Sequence, residues 1–275
     1  MKLASLSSLL TYLAVILISL AILFPIYWTI ITSLKSLTDI FSMPPVLIPS
    51  KIEPLNYYRP FVMEGYTKLL INSLIASIGN IIVVIPLSTL AAYSISRYRF
   101  FGADTFQFFA LTCRMAPPAA FIVPYYIMFR TIGLYDTPAA LVIVYCIFNI
   151  PFALWIIKSG FDSIPREIEE SALVDGASLT TRLYKISVPL CAPSIAAAAI
   201  LTFLFSWNEY LFASVLTGFH ARTITTGLTA FVTEVGIRWG EMAAVSTVCM
   251  LPGILLVLFL QKYIVSGLAL GGVKA

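Results

Sequence analysis

Long apolar runs alternate with shorter polar segments along this chain of 275 residues. Each run is long enough to cross a bilayer, for which a helix needs about 20 residues. Because lipid cannot satisfy backbone polar groups, such runs form helices, and the strand pattern of a membrane barrel, about ten alternating residues each, is absent. The pattern predicts an all-α membrane protein with six transmembrane helices. They lie at residues 9–32, 69–94, 106–129, 138–157, 190–216 and 242–264.

Several predicted spans contain prolines that favour a break. These prolines are Pro86, Pro117, Pro118, Pro151 and Pro252. Broken helices at membrane depth are tolerated where they are buried in protein or line a cavity. Ordinary kinks, which are common in membrane helices, would also explain each proline. Because several spans share the feature, we favour a translocation path between them.

Composition supports the membrane class and removes other functions. The chain is 60% hydrophobic and 11% charged, whereas soluble domains average about 25% charged residues. The net charge of +4 comes from scattered basic residues, so we expect no nucleic-acid partner. With His220 as the single histidine and four cysteines in apolar runs, we expect no metal site and no catalytic residues.

The distribution of positive charge predicts the orientation in the membrane. Six spans place both termini on one side, together with the segment 158–189. Lys and Arg are more frequent on that side once the long first loop is set aside, which marks it as cytoplasmic. Residues 33–68 and 217–241 then form extracytoplasmic loops. The proline-rich first loop is expected to be extended or turned, and residues 1–275 to form a single transmembrane domain.

The segment 158–189 is a charged loop in an otherwise apolar chain. Pro165 suits the first helical position, and Glu167, Glu169 and Glu170 favour the first turns of a helix. Gly176 can take the left-handed conformation that ends it. The remaining features are an apolar stripe at Ile164, Ile168 and Ala172, and Ser178 as the cap of a second helix to about Ile186. The pattern predicts a cytoplasmic helix-turn-helix between spans four and five.

The acidity of the first helix indicates what this loop contacts. Helices that lie on membranes favour Lys and Arg on the polar face, and an acidic surface is repelled by anionic lipid. A protein partner is therefore favoured over an interfacial anchor.

The spacing of this loop resembles the EAA loop of ABC importer permeases. Glu170-Ser171-Ala172, Gly176 and Ile186-Ser187-Val188-Pro189 keep the pattern EAA-x3-G-x9-I-x-LP, with Ser171 and Val188 as its departures. Nearly the whole chain resembles the carbohydrate-importer permeases, in particular the smaller, six-span subunit of maltose-type importers. The other segments that carry the resemblance are Asn72-Ser73, Ala91-Ala92-Tyr93, Arg97, Gly133 to Thr137, Ile164-Pro165, Trp207 to Tyr210 and Gly267 to Lys274.

The resemblance implies a transport subunit that is not itself an enzyme. Two ATP-binding subunits would bind ATP and Mg, and this chain has no G-x-x-x-x-G-K-[ST] phosphate loop and no cofactor of its own. A second permease subunit and an extracytoplasmic solute-binding protein complete the complex, within the lipid of a bacterial or archaeal cytoplasmic membrane. The implied coupling residues are Glu169, Glu170, Ser171, Ala172, Asp175, Gly176, Ala177 and Pro189. The tail from Gly267 to Lys274 would reach the ATPase subunits, or else fray.

The loop between the last two spans is the candidate contact for the binding protein, with a passive connector as the alternative. Its candidate residues are Thr217, Phe219, Arg222, Thr225 and Trp239. A separate polar set near membrane depth could line the substrate path: Arg114, Tyr145, Asn149, Asn208, Glu209 and Tyr210. Ionisable groups cost about 2.5–3.5 kcal/mol at the centre of a membrane helix, so Arg114 and Glu209 need partners or water. They could pair with each other, or either residue could snorkel or satisfy a freed carbonyl beside the broken helices. Substrate contact and a purely structural role both remain open.

The predicted function is import of a sugar or sugar-like solute by alternating access. Glycerol phosphates, polyols and acidic sugars are alternatives of the same permease type. A self-contained secondary transporter is the rival from another class, although it would leave the acidic loop without a partner. An intramembrane enzyme would need a catalytic constellation that the predicted spans lack.

Overall fold

The computed structural model describes residues 6–98, 101–234 and 236–271, without the side chains of residues 6, 7, 9, 104, 113, 260 and 262–271. Lys2 and Arg99, two of the basic residues on the predicted cytoplasmic side, lie outside this range, as do Gly272 and Lys274 of the predicted tail. The chain divides into two compact units, Met1–Thr67 with Gly227–Leu251 and Lys68–Thr226 with Pro252–Ala275. Each unit is described by itself below.

Helices account for nearly all of the regular structure. The longer ones are α1 Leu6–Leu34, α4 Tyr66–Arg97, α5 Ala103–Met115, α6 Ile122–Thr131, α7 Pro138–Asp162, α8 Arg166–Val174, α11 Ala192–Trp207 and α14 Trp239–Gly271. The shorter ones are α2 Leu37–Ile40, α3 Leu55–Tyr58, α9 Leu179–Thr181, α10 Val188–Leu190, α12 Leu211–Leu216 and α13 Ile224–Leu228. Two π-helical and two 3₁₀ segments connect them: Arg59–Met63, Arg182–Ser187, Pro118–Phe121 and Thr229–Phe231. Val232–Thr233 (β1) and Gly236–Ile237 (β2) pair as a small antiparallel hairpin.

Four helices in the described residues are long and apolar enough to cross a membrane. They are Leu10–Leu34, Tyr66–Arg97, Pro138–Asp162 and Trp239–Phe259. A fifth span would combine Leu179–Leu190 with Ala192–Trp207, although the two bend by 73°. The chain is therefore a multi-pass membrane protein, and the count of six spans stays a prediction.

Only some of the prolines interrupt their helices in the described residues. Pro86, Pro151 and Pro252 lie inside continuous helices, so the predicted interruptions at these positions are wrong. The Ser88 hydroxyl in α4 donates to the Ile150 carbonyl in α7, so the two helices are joined next to Pro151. Membrane helices tolerate proline where neighbouring groups satisfy the backbone that it frees. The third predicted span does break at Pro117–Pro118, between α5 and α6.

The fifth predicted span, 190–216, contains a break that the sequence reasoning missed. It separates α11 from α12 at Asn208–Tyr210, where the sequence has no proline. The predicted tail also differs, because Gly267 and Gly271 continue the helical backbone of α14.

Within the predicted loop at 33–68, residues 41–54 are extended or turned as expected, whereas short helices α2 and α3 and a π-helical turn form on either side of them. The Asn56 side-chain amide donates to the carbonyls of Ser33 and Lys35 and so ties α3 to the end of α1. Tyr66 stacks on Phe231, with ring centroids 4.9 Å apart, and its hydroxyl donates to the Gly227 carbonyl. These contacts hold the segment after α13 against the start of α4.

The second unit packs α4, α7 and α11 around a buried polar cluster. The Asn149 amide nitrogen lies 2.8 Å from Asn80 Oδ1 and 3.0 Å from Ser206 Oγ. Ser206 Oγ also donates to Asn80 Oδ1, so one residue from each helix takes part. Hydrogen bonds between membrane helices average about 0.6 kcal/mol, and their directionality fixes how the helices are rotated against each other.

Close contact between α7 and α11 depends on Gly160. A Cβ added there would lie 2.3 Å from Ser194 Oγ and 2.8 Å from Cys191 Sγ. Small residues at such crossings let the backbones of membrane helices approach.

Gly160→Ala should therefore destabilise the packing of α7 on α11, by about 1–3 kcal/mol for an overpacked site. Thermal unfolding of the purified protein in detergent should show a lower Tm. Gly253→Ala is the matched control, since its Cβ would meet Leu204 Cδ2 at an ordinary 3.5 Å. Equal Tm values for the two variants would contradict the close packing.

Candidate functional site

The turn after α8 has the geometry that the loop pattern predicts. Gly176 has φ +82°, its N–H donates to the Leu173 carbonyl, and the Ala177 N–H donates to the Ala172 carbonyl. This pair of bonds is a Schellman motif, which requires the left-handed residue that glycine supplies. The Ser178 hydroxyl then accepts from the Thr181 N–H and caps α9, so the predicted helix stop and the predicted cap are both confirmed.

The second helix of the loop is shorter than predicted. Instead of one helix to about Ile186, the chain forms α9, the π-helical segment Arg182–Ser187 and α10. The π-helical segment is tied by the Ser187 hydroxyl, which donates to the Arg182 carbonyl five residues back. Pro189, a predicted coupling residue, is exposed in α10.

An exposed surface surrounds the turn. The side chains of Glu170, Ser171 and Asp175 are exposed, as is Gly176, whereas Ala172 and Ala177 are half-buried. The apolar residues Leu173, Val174, Leu179 and Tyr184 are also exposed, with Val174 at 87%. Acidic and apolar side chains on one projecting turn form a surface suited to a protein partner.

Glu169 differs from the other predicted coupling residues because it is buried, with 5% exposure. Its Oε1 lies 2.6 Å from Arg97 Nε, and its Oε2 accepts from the Tyr93 hydroxyl at 2.8 Å. Burial alone would raise the pKa of Glu169, but hydrogen bonds from Arg97, Tyr93 and Ser187 lower it. Its carboxylate is turned away from the exposed surface and binds the end of α4.

A cavity of about 250 Å³ in the second unit collects most of the predicted path residues. Arg114, Tyr145, Asn149 and Glu209 line it. Its walls are aromatic, with Phe148 stacked on Phe212 at 5.1 Å. Asn208 and Tyr210 do not line it: Asn208 donates to the Leu204 carbonyl, and the Tyr210 side chain is 44% exposed.

Arg114 and Glu209 do not pair with each other among the described residues. The Arg114 guanidinium lies 4.3 and 4.7 Å from the rings of Phe152 and Phe205, and it donates to the Phe148 carbonyl. The Glu209 carboxylate accepts from the N–H groups of Phe212 and Ala213. The predicted pair is therefore wrong. Glu209 instead satisfies the backbone at the start of α12, where the break leaves N–H groups without helical partners.

Asp136 organises the loop that follows α12. Its carboxylate accepts from four consecutive backbone N–H groups, those of Gly218, Phe219, His220 and Ala221, at 2.8–3.1 Å. Burial would raise the pKa of Asp136, but these four backbone hydrogen bonds lower it to about 2. Asp136 itself has φ +58°, a conformation that Asp and Asn adopt more readily than most residues.

The predicted contacts for a binding protein differ in how they are presented. Thr217 is buried, and its hydroxyl donates to the Ala213 carbonyl. The Thr225 hydroxyl donates to the Glu209 carbonyl. Phe219 is 79% exposed, and Arg222 is half-buried with its guanidinium on the Thr226 carbonyl. Trp239, which belongs to the first unit, is 39% exposed. Phe219 is thus the most accessible residue of the set.

A model of the binding-protein-dependent transport system inner membrane component family matches residues 84–269. The chain belongs to this family. It is 34% identical to the trehalose/maltose transport system permease protein MalG of Thermococcus litoralis over 94% of each chain. It is also 34% identical to the trehalose transport system permease protein SugB of Mycobacterium tuberculosis over 92% of each chain. The predicted resemblance to carbohydrate ABC importer permeases is confirmed.

The fold of the permease agrees with the family. A bacterial ABC transporter involved in the import of the acidic polysaccharide alginate matches with a TM-score of 0.78 at 20% identity, covering 96% of this chain and 99% of the other. The described residues contain no cluster of His, Cys, Asp or Glu that could hold a metal ion.

Sequence reasoning missed several functional positions of this permease. Asn80 and Ser206 orient Asn149, Asp136 holds the loop after α12, and Arg97 binds Glu169. Asp136 and Arg97 lie in segments that resemble the importer permeases, and this resemblance was the signal that could have identified them. Asn80 and Ser206 are small polar residues in apolar runs and gave no comparable signal.

Asp136→Asn should loosen the loop after α12, because asparagine tolerates the left-handed backbone but lacks the charge that strengthens the four hydrogen bonds. Amide exchange at Gly218–Ala221 should rise about tenfold or more, since a hydrogen bond to a charged group contributes about 1.5–3 kcal/mol. Hydrogen-exchange mass spectrometry measures this, with Asp175→Asn as the control on an exposed aspartate.

The wild-type loop should also depend on pH. Because the pKa of Asp136 is lower in the folded protein than its ordinary 3.8, protection is complete above about 4 and is lost as pH falls towards 2. Protection factors corrected for the intrinsic exchange rate at each pH measure the change. A pH-independent loop, or unchanged exchange in Asp136→Asn, would contradict the role of the carboxylate.

Proposed function

We propose that this chain is a permease subunit of an ABC importer that moves a sugar into the cytoplasm by alternating access. The observation that carries the proposal is the exposed turn at Glu170–Gly176, which presents acidic and apolar side chains. It occurs in a chain that belongs to the binding-protein-dependent transport family. In this proposal ATP hydrolysis in partner subunits moves the turn, and the turn moves the spans.

The proposed complex contains a second permease subunit, two ATP-binding subunits and an extracytoplasmic solute-binding protein. ATP and Mg²⁺ would be bound by the ATP-binding subunits, so this chain needs no cofactor and is not an enzyme. A partner in the membrane is supported by α1, because no residue in the most apolar window of Leu10–Leu34 is buried in the chain. A related fold occurs in a bacterial alginate ABC transporter in complex with a periplasmic protein.

We place the protein in the cytoplasmic membrane, with both termini and residues 158–189 on the cytoplasmic side. Residues 33–68 and 217–241 then face outwards, where a binding protein would dock. The charge distribution supports this orientation. The coupling surface consists of Glu170, Ser171, Ala172, Asp175, Gly176, Ala177 and Pro189, while Glu169 acts from beneath it.

The proposed substrate is a neutral sugar such as a disaccharide. Relatives named for trehalose and maltose support this class, as do the aromatic walls of the cavity, against which a sugar ring can pack. The cavity is slightly smaller than a usual ligand site of about 300–1,000 Å³, so the second permease would supply part of the contact surface.

Acidic sugars are the second candidate because Arg114 lies in the cavity. A relative in Agrobacterium fabrum, 30% identical, is named a sulfoquinovosyl glycerol transport permease. However, the Arg114 guanidinium already binds a carbonyl and two aromatic rings, which favours the neutral class. Glycerol phosphates and polyols remain alternatives of the same type.

Purification of the tagged full chain from its native membranes tests the complex. We expect a second permease and ATP-binding chains to co-purify and to hydrolyse ATP. Gly176→Pro should remove the ATP-binding chains without affecting membrane insertion, because proline cannot adopt the φ of +82° that the turn requires. Immunoblotting of the membrane fraction measures insertion, and native mass spectrometry of the purified complex measures whether the ATP-binding chains are bound.

Gly102→Pro is the control for this variant. Gly102 has φ +87°, open space around it and the same predicted side of the membrane, so the local damage is matched. Transport by this chain alone in ATP-free vesicles would contradict the proposal and favour the secondary transporter.

A substitution of Phe219 tests the proposed contact with the solute-binding protein. Phe219→Ala should weaken stimulation of ATP hydrolysis by the cognate binding protein, raising the concentration for half-maximal stimulation about tenfold if Phe219 anchors the interface. Phe101→Ala is the control, an exposed phenylalanine on the opposite predicted side. Equal stimulation of both variants would make the loop a passive connector.

A further inference from the structure

The covalent connections of α8 to the rest of the chain are poorly suited to transmit force. On one side the chain runs through Ser163 and Ile164 to Pro165, whose ψ of 135° is extended rather than helical. On the other side the left-handed Gly176 reverses the chain. A nine-residue helix between two such joints can pivot unless side chains hold it.

A buried ion pair holds the middle of α8. Arg97 and Glu169 are 72 residues apart in sequence, yet Nε and Oε1 lie 2.6 Å apart with side chains only 8% and 6% exposed. Tyr93, one turn before Arg97 in α4, donates to the other carboxylate oxygen at 2.8 Å. Both oxygens of Glu169 are therefore bound by the same face of one transmembrane helix.

The surrounding hydrogen bonds strengthen this attachment. Arg97 also donates to the Ile164 carbonyl at 3.2 Å, and Arg166 donates to the Ser96 carbonyl at 2.8 Å. The end of α4 thus contacts the connector before α8, its first residue and its centre. Behind them, Tyr93 packs edge-on against Phe161, with ring centroids 5.5 Å apart.

We propose that the Arg97–Glu169–Tyr93 contact, called the latch below, makes α8 move as one body with the end of α4. The inference rests on the proposed coupling function of the loop. It assigns Arg97, Tyr93 and Glu169 as positioning residues: they touch neither nucleotide nor substrate, and they select α4 as the span that follows the loop. A loop attached by its backbone alone would pass its movement only to α7 and α10.

Removing one partner of a buried pair leaves the other charge buried and uncompensated, which is strongly unfavourable. In Glu169→Ala, α8 should pivot between its two joints while the exposed turn stays intact. The ATP-binding chains should therefore still bind, whereas the distance between α8 and α4 should no longer be fixed.

Spin labels on two exposed residues measure this distance in the purified importer complex. Leu90 in α4 is 43% exposed, and Ile168 in α8 is 40% exposed and lies outside the surface proposed to contact the ATP-binding chains. Labels on genetically encoded unnatural amino acids avoid the native cysteines. Pulsed EPR is recorded without nucleotide and after trapping with Mg-ATP and orthovanadate. With the latch intact, both states should give one narrow distance distribution with the same mean.

In Glu169→Ala and Arg97→Ala the distribution should widen, and the population at the wild-type distance should fall about tenfold relative to displaced positions, which corresponds to about 1.4 kcal/mol. Glu169→Gln keeps the shape of the side chain and one acceptor oxygen, but it replaces the other oxygen with an NH2 donor and lacks the charge, so it should give an intermediate loss without unfolding. The exchanged pair Arg97→Glu with Glu169→Arg should partly restore the narrow distribution.

Glu167→Ala is the matched control, since it removes an exposed carboxylate from the same helix. The latch would be overturned if all the Glu169 and Arg97 variants gave the narrow wild-type distribution while the ATP-binding chains still co-purified. The importer assignment would then remain intact. Absence of ATP-binding chains from the wild-type preparation would instead refute the proposed function on which the latch depends.

Discussion

Backbone groups that lose their helical partners must be satisfied locally, and this constraint shapes three of the irregular segments in the described part of the chain. Glu209 accepts two N–H groups where α12 begins, and Asp136 accepts four in the loop after it. Asn56 does the same for two carbonyls after α1. In an apolar surrounding an unsatisfied backbone group costs several kcal/mol, and in these three segments one polar side chain takes the place of the missing helical partners.

The sequence predicted features that depend on neighbouring residues. The turn at Gly176 and the cap at Ser178 follow from local backbone chemistry, and both are present. The break at Pro117–Pro118 is also local. By contrast, the break at Asn208–Tyr210 has no proline, and three prolines elsewhere do not interrupt their helices. A proline leaves a carbonyl of the preceding turn without its helical hydrogen bond. Whether the helix breaks there depends on the hydrogen-bond donors that neighbouring helices provide, and a single sequence does not reveal them.

Long-range contacts explain the remaining differences. Glu169 looked like one of several acidic residues on a solvated helix, because its partner Arg97 lies 72 residues away. Asn80 and Ser206 are 126 residues apart and meet only when α4, α7 and α11 pack. The grouping of Arg114, Tyr145, Asn149 and Glu209 around one cavity was anticipated, but their individual bonds were not. Residue types thus located the candidate path, while the packing of the helices decided which groups remain available within it.

The first helix has a consequence for how the protein is made. Leu10–Leu34 contains no Asp, Glu, Lys or Arg, and none of the residues in its most apolar window is buried by the rest of the chain. A segment this apolar enters the bilayer by its own transfer free energy, without help from later segments. It can therefore insert while the remainder is still being translated. The buried hydrogen bonds between α4, α7 and α11 can form only after α11 has been synthesised, so insertion of the first helix precedes this part of tertiary folding.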